Sequence, residues 1–413
     1  MTHVRFIPAG CLLLLAVFFS GCRWQRPTTG EPSALTVTWN RLPPLPDSSS
    51  LGVSAPFVGL TRGRLLVAGG CNFPDVPAAK GGVKRYYSEI FTLDLSDPDA
   101  RWQPGGRLPL PVAYGASVTT PEGVVCIGGN DGDGSFTDVW LLTLPDSAET
   151  VQIRALSPLP SAMDNLAATY ADHTVYVAGG NENGAPGHGF YAMKLDKNLD
   201  GTWEKLPDVP GLARLQPVMA ALPSADGLRV YLSSGYQPVT WGRLFGNGDD
   251  AEVSSDVLSY HPATRKWREE AVLPVSEDGS PRTFTGGCAV ACGDSTLLFM
   301  GGVNYDRFRN AINRRLWMRR AERSAEYEAL GRLMEEGDQY MYHPVEWYKF
   351  NTILLQYNTF TKEWKDLGSH GQLARAGAGA VLRGDSLIIV NGELKPGIRT
   401  PQVNCAVLRR GSR

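Results

Sequence analysis

Histidine is scarce in this sequence, with copies only at positions 3, 173, 188, 261, 343 and 370. So dispersed a set offers none of the spacings that hold a transition metal. Cysteine is scarce too, and odd in number: seven in 413 residues, which is no disulfide framework in a chain this long. Cys288 and Cys292 fall within what reads as one strand, with no histidine beside them. Together with Cys71, Cys126 and Cys405 they read as small buried hydrophobes. There is no charge of one sign to spare, with 40 basic against 42 acidic side chains and a net charge of −2. No basic stripe runs along the chain, which argues against a nucleic-acid partner. The 46 glycines and 29 prolines lack the three-residue period of a collagen. They fit many short strands joined by turns.

Long apolar runs are also missing. The best, Leu12 to Phe19, follows His3 and Arg5 and precedes Ser20-Gly21-Cys22. It is too short to span a bilayer and reads as the core of a signal segment, residues 1–22, to be set aside from fold reasoning. Small residues directly before a cysteine resemble the lipobox of bacterial lipoproteins. That resemblance implies a lipidated Cys22 at the mature N-terminus and a periplasmic protein whose only membrane contact is its anchor. An ordinary signal peptide cut near a chance cysteine is the alternative. Arg23 follows Cys22, where an Asp would have pointed to the inner membrane, so the outer membrane is favoured. Residues 23–34, rich in Pro, Thr, Gly, Glu and Ser, read as a flexible tether.

What is present is a repeat. Apolar runs end in a diglycine at Leu65–Gly70, Val124–Gly129, Val175–Gly180 and Leu297–Gly302, and in degenerate form at Val230–Gly235 and Leu387–Gly392. Trp102, Trp203, Trp267 and Trp364 follow four of them, and Leu-Pro pairs follow in turn. Six such ends at spacings of about 50 residues point to units of four short strands stacked around an axis. This pattern resembles the Kelch repeat, and the expected fold is an all-β, six-bladed propeller over residues 35–413. The last unit lacks its outermost strand, and Thr36-Val37-Thr38-Trp39 near the N-terminus can supply it. That pairing would remove an open sheet edge. Two insertions interrupt the pattern. Residues 236–253 read as a loop. Residues 305–350 read as a helical insertion in the fifth unit, with Tyr327, Leu330 and Met334 at helical spacing and a cluster of arginines from Arg314 to Arg323. Such an insertion is either a lid over a ligand or a solvated helix on the rim.

Strand direction constrains the site. Residues just after each diglycine and at each innermost-strand start share one mouth of the channel. The first set is Asn72, Asn130, Asn181, Tyr236, Asn304 and Glu393, and the second is Tyr114, Asp164, Arg214, Arg282 and Arg375, with Arg399 starting a later strand. Arginines and amides converging on a funnel suit a small anionic, hydroxyl-rich ligand. Asn72, Asn304, Arg282 and Arg375 are the expected substrate-binding residues. The asparagines have a second explanation as turn formers, one that serves Glu393 poorly.

The most specific run is Asn391-Gly392-Glu393-Leu394-Lys395-Pro396-Gly397-Ile398-Arg399, in which Pro396-Gly397 signals a type II turn. It resembles the active-site segment of bacterial N-acetylneuraminate epimerases, the sialic acid mutarotases. Gly301-Gly302-Val303-Asn304 and Tyr86-Tyr87-Ser88 resemble that family as well. The segment lies in the last unit rather than mid-chain, which matches a cyclically permuted branch. The resemblance implies catalysis by Glu393 as base with Arg399. It also implies a small acidic sugar, N-acetylneuraminate, as substrate, with no metal or organic cofactor. Other readings remain: a non-catalytic propeller binding a glycan or a protein; a sialidase, whose Asp-box repeats are missing here; and a copper oxidase of the galactose oxidase type, for which only His188 falls near the mouth. Oligomeric state is not legible from the sequence.

Overall fold

The computed structural model describes residues 35–145, 148, 150–195, 201–242 and 247–410. The signal segment, Cys22 and the tether lie outside them. Among the described residues no helix is long and apolar enough to cross a membrane.

The chain folds into an all-β, propeller-like architecture. Six four-stranded antiparallel sheets follow one another. The first comprises Phe57–Thr61, Arg64–Ala68, Glu89–Asp94 and Gln103–Arg107. The innermost strands of the others begin at Ala116, Ala167, Val218, Cys288 and Gly379. Each innermost strand touches those of its two neighbours, and the sixth touches the first. The sixth sheet draws its outermost strand from the far end of the chain. Leu35–Leu42 pairs antiparallel with Val403–Arg410, in register from Leu35 opposite Arg410 to Leu42 opposite Val403.

The apolar runs that announced the repeat are the second strand of each sheet, and both of their faces are buried. In the first sheet Leu65 and Val67 pack against the sixth, among Val381, Ile388 and Val390. Leu66 and Ala68 pack against the second, among Val124, Cys126 and Trp140. Successive side chains alternate faces, so a strand packed on both sides reads as an unbroken apolar run. One such apolar layer fills each of the six junctions between sheets. The tryptophans add a polar staple across three junctions. The indole N–H of Trp102 donates to the Pro43 carbonyl, that of Trp203 to Ser157 and that of Trp267 to Pro207, at 2.8 to 2.9 Å.

The diglycines have a steric cause. Gly69 has φ +68°, and a Cβ built there would sit 2.5 Å from the Val112 carbonyl oxygen of the next unit. The adjacent Gly70 N–H donates to that same carbonyl at 2.8 Å. Where the first glycine is replaced, Ser234 and Asn391 keep the left-handed backbone, at φ 62° and 55°.

Both insertions contain regular structure. Among the described residues of 236–253, expected as a loop, Tyr236–Gln237 pairs with Glu252–Val253 and Thr240–Trp241 with Gly248–Asp249. The helical insertion is a pair, α1 (Tyr305–Arg323) and α2 (Tyr327–Gln339), between the second and third strands of the fifth sheet. α1 packs on the first insertion. Asn313 donates to and accepts from the Ala251 backbone, while Trp317 and Arg320 bind the Asp250 carboxylate. The stripe read from α2 is not a buried face, since Tyr327 is 73% exposed and Met334 49%. Its charged sequence keeps α2 on the rim, and α1 takes the inner position.

Candidate active site

Six residues, one at the start of each innermost strand, meet at the axis: Ala55, Tyr114, Asn165, Gln216, Gly286 and Gly377. All have left-handed backbones, with φ from 52° to 69°. Each N–H donates to the carbonyl of the preceding one. Tyr114 donates to Ala55, Asn165 to Tyr114, Gln216 to Asn165, Gly286 to Gln216, Gly377 to Gly286 and Ala55 to Gly377, at 2.7 to 3.2 Å. The result is an unbroken belt of six backbone hydrogen bonds. A left-handed non-glycine residue costs about 1–3 kcal/mol and clusters at functional sites; four of these six are not glycine.

The belt lines a cavity of about 440 Å³, a size suited to a small ligand. Around it stand Phe73, Tyr114, Phe308, Tyr340, Tyr348 and Phe350, the cations Lys84, Arg307 and Arg399, and Glu393, the one acidic residue among the lining residues. Glu393 is fixed to the axis by backbone. Its N–H donates to the Ala376 carbonyl at 2.7 Å and its carbonyl accepts from Ala376 at 2.9 Å, directly beside belt residue Gly377. Glu393–Lys395 then turns back on Ile398–Arg399 through Gly397 at φ 82°, the value that the third position of a type II turn requires. The local sequence thereby sets Glu393 opposite Arg399, and the Arg399 guanidinium meets the Glu393 carboxylate at 2.9 Å.

The electrostatics of this pair are unbalanced. Burial pushes the Glu393 carboxyl above its usual range, against the opposing pull of Arg399, Lys84 and the Gly397 N–H. The Arg399 side chain is 3% exposed, lies over the Phe73 ring at 5.1 Å and leaves Nε and Nη1 buried without a hydrogen-bond partner. Unsatisfied buried donors are rare in native structures and mark places where structure serves something other than stability.

The insertion completes the wall. Asn304 caps α1, accepting the Arg307 N–H at 3.0 Å, and the first turn of α1 brings Arg307 and Phe308 to the cavity. The Arg307 guanidinium lies 4.0 Å over Trp347, on which the ring of His343 is also stacked. The returning segment adds Tyr340, Met341, Tyr348 and Phe350. Lys395 ties it to the Glu393 hairpin by donating to the His343 and Met341 carbonyls at 2.6 and 3.2 Å. Lys395→Met should therefore leave the fold intact but loosen residues 340–348. Their amides should exchange faster with deuterium, and ligand affinity should fall about tenfold, equivalent to roughly one charged hydrogen bond of about 1.5 kcal/mol.

Of the residues expected at the mouth, the structure brings Glu393, Arg399, Asn304 and Tyr114 to the cavity and takes the others away from it. Asn72 is buried in a polar knot, donating to Ser49 and Gly52 and accepting from Tyr87 at 2.7 to 2.8 Å. Arg282 spends its guanidinium on the Pro274 and Val275 carbonyls. Arg375 lies buried against the Asn391 and Gln402 carbonyls. These three are corrected to structural residues, because the axis is reached by Gly286 and Gly377 downstream of the two arginines. The other cations that line the cavity, Lys84 and Arg307, come from loop and insertion. Their only sequence signal was position: Lys84 just before Tyr86-Tyr87-Ser88, and Arg307 in the first turn after Asn304.

The family model for N-acetylneuraminate epimerase matches residues 18–151 and 157–412. The chain belongs to the N-acetylneuraminate epimerase family. Among curated members, an N-acetylneuraminate epimerase of Haemophilus influenzae strain 86-028NP is 30% identical over 248 residues, 58% of this chain and 59% of that protein. One from Salmonella paratyphi B is 28% identical over 267 residues, covering 64% and 58%, and one from Pasteurella multocida is 25% identical over 267 residues, covering 64% and 62%. The chain thus spans about three fifths of the length of these epimerases. A solved structure described as that of YjhT superposes with a TM-score of 0.54 at 15% identity, over 89% of this chain and 96% of the other. That likeness concerns the fold alone.

Proposed function

We propose that this member of the epimerase family interconverts the α and β anomers of N-acetylneuraminate by opening and reclosing the sugar ring. The observation that carries the reading is the Glu393–Arg399 pair, set on the wall of a cavity whose other lining charges, Lys84 and Arg307, are cations. Anomer exchange needs a base for the anomeric hydroxyl, and Glu393 is the carboxylate available. Arg399 opposes the rise that burial imposes on it and so favours its base form. Arg307 is the anchor for the sugar carboxylate: its guanidinium is held flat by Trp347, and the N-terminus of α1 adds positive potential beside it. Aromatic walls face the sugar ring. The chemistry is proton transfer within a positioned substrate and calls on no cofactor.

The fold reading supports this assignment. We take the six sheets as six blades of a Kelch-type propeller, residues 35–413 with the insertion at 305–350, closed by the N-terminal strand. A ring of blades keeps its assembled site wherever the chain is cut, so the terminal position of the Glu393 segment is compatible with a permuted order. We propose a periplasmic location, after cleavage of residues 1–22, with residues 23–34 as the tether to a lipid on Cys22 and the outer membrane favoured; the apolar run and the small residues before Cys22 support this reading.

The test is to release α-N-acetylneuraminate with a sialidase and follow the β anomer by proton NMR. The protein should shorten the approach to equilibrium well below the spontaneous time. Arg307→Met should weaken sugar binding about 10- to 100-fold, the value of a charge-assisted pair, with a smaller change in turnover. A wild-type protein that leaves the spontaneous rate unchanged would sink the assignment.

A further inference from the structure

Ring opening needs two proton movements at once. The anomeric hydroxyl must lose a proton, and the ring oxygen, as its bond to the anomeric carbon breaks, must gain one. Glu393 serves the first. We infer that Tyr114 is the general acid for the second, with Lys84 as the positioning residue that carries the resulting phenolate. This inference rests on the anomer-exchange reading above.

Tyr114 is the one ionisable side chain of the hydrogen-bonded belt and so stands at the axis of the cavity. It is held there at φ 60°, a conformation that a bulky residue adopts only where its surroundings impose it. Lys84 donates to its phenolic oxygen at 2.9 Å, and the same ammonium lies 4.8 Å from the ring centre. An ammonium gives a phenol oxygen a hydrogen bond and accepts none, so the phenol keeps its own proton, and the hydrogen-bond neighbour of that proton is Cys71, a weak acceptor that a substrate oxygen can displace. Burial and the nearby Cys71 and Glu393 push the Tyr114 hydroxyl well above its usual value, so the proton is in place at neutral pH. Glu393 and Tyr114 thus lie within electrostatic reach of each other.

The other phenols of the wall are less suited. The Tyr348 hydroxyl is already spent on the Tyr340 carbonyl. Tyr340 has a cation, Arg314, but over its ring face at 4.8 Å rather than at its oxygen, where the phenolate charge would form.

The protons balance. Glu393 takes the anomeric hydroxyl proton, that oxygen forms the carbonyl, and the electron pair of the breaking bond goes to the ring oxygen, which takes the proton of Tyr114. Phenolate and protonated Glu393 remain. After rotation of the open chain, the phenolate recovers its proton from the attacking hydroxyl, and the carbonyl oxygen, becoming the new anomeric hydroxyl, takes the proton from Glu393. Both groups end as they began.

The experiment measures anomer exchange of N-acetylneuraminate by NMR and sugar affinity by tryptophan fluorescence, on the full-length protein. Tyr114→Phe should lose about 10²-fold or more in kcat, the typical worth of a general acid, while Kd stays within about threefold. Lys84→Met should lose a smaller factor of about ten, and Lys84→Arg, which can still donate to the phenol, should regain most of it. A Tyr114→Phe enzyme that turns over like wild type overturns the inference and leaves the anomer-exchange reading standing. So does one that loses affinity in proportion to rate, which would make Tyr114 a binding wall. Inactive wild type overturns both together. If Tyr114→Phe fails to fold by circular dichroism, the lysine pair decides: wild-type turnover in Lys84→Met, or no recovery in Lys84→Arg, rejects the inference.

Discussion

Glu393→Gln should reduce anomer exchange by about 10² to 10⁴-fold, the range that positioned acid–base groups contribute, with sugar binding largely retained. Gln keeps the shape and can still accept from Arg399, but it takes no proton. The pH dependence follows from the environment of the wild-type group. Burial outweighs the pull of Arg399, Lys84 and the Gly397 N–H, so the carboxyl lies above its usual range. The base form is present only above that raised value, so kcat/KM should fall on the acid side at a pH clearly above the ordinary glutamic acid value of about 4.3. Arg399→Met removes the strongest of the opposing pulls and should move that limb to still higher pH.

Stability runs the other way, by linkage. A carboxyl raised on folding contributes stability that is complete below its unfolded value and is lost as pH rises through its folded value. Wild type should therefore lose stability relative to Glu393→Gln as pH rises from the unfolded value of about 4.3 through the raised folded value. Urea unfolding of both proteins in a series of rising pH reads the difference. An activity loss without this trend would mean that Glu393 is not the half-buried, reluctant carboxylate that its surroundings imply.

Deleting residues 35–42 should be close to lethal for the fold. The strand pairs along its whole length with Val403–Arg410, and the chain that follows it sends Leu45 into the core between the first and sixth sheets. The Pro43 carbonyl beyond it holds the Trp102 indole. Backbone hydrogen bonds are worth about 0.5–1.5 kcal/mol each, so losing the ladder costs on the order of 5 kcal/mol. That is comparable with the 5–15 kcal/mol of a typical domain. The deletion would also bare the Val403–Arg410 edge to other chains. We expect a fall in Tm of well over about 10 °C together with light scattering from aggregates. A truncated protein that melts like the full chain would show that the fold does not depend on its N-terminal strand.

The sequence by itself determined what depends on local chemistry and on repetition. The unbroken apolar runs required strands buried on both faces, and the glycines at their ends required left-handed backbone packed against a neighbouring unit. The spare strand at Thr36–Trp39 matched the missing edge of the last unit. The Glu393-to-Arg399 run, a two-stranded turn closed by Pro396-Gly397, carried its own geometry and faced its two charged groups toward each other as read. The tertiary structure decided which other residues reach the axis. That depends on where each innermost strand kinks into the left-handed region, a choice settled by the hydrogen bond each unit makes to the one before it. This is why Gly286 and Gly377 stand at the centre while Arg282 and Arg375 are bound to backbone carbonyls, and why Tyr114 alone of the expected strand-start residues lies on the belt. The same holds for Lys84 and Arg307. Neither sits in a repeat; each is carried to the cavity by a segment whose path is set by packing, Arg307 by an insertion anchored at Asn313, Arg320 and Lys395. Local spacing could find the Glu393–Arg399 pair, but only the packing of separate units could bring Lys84 and Arg307 to the same cavity.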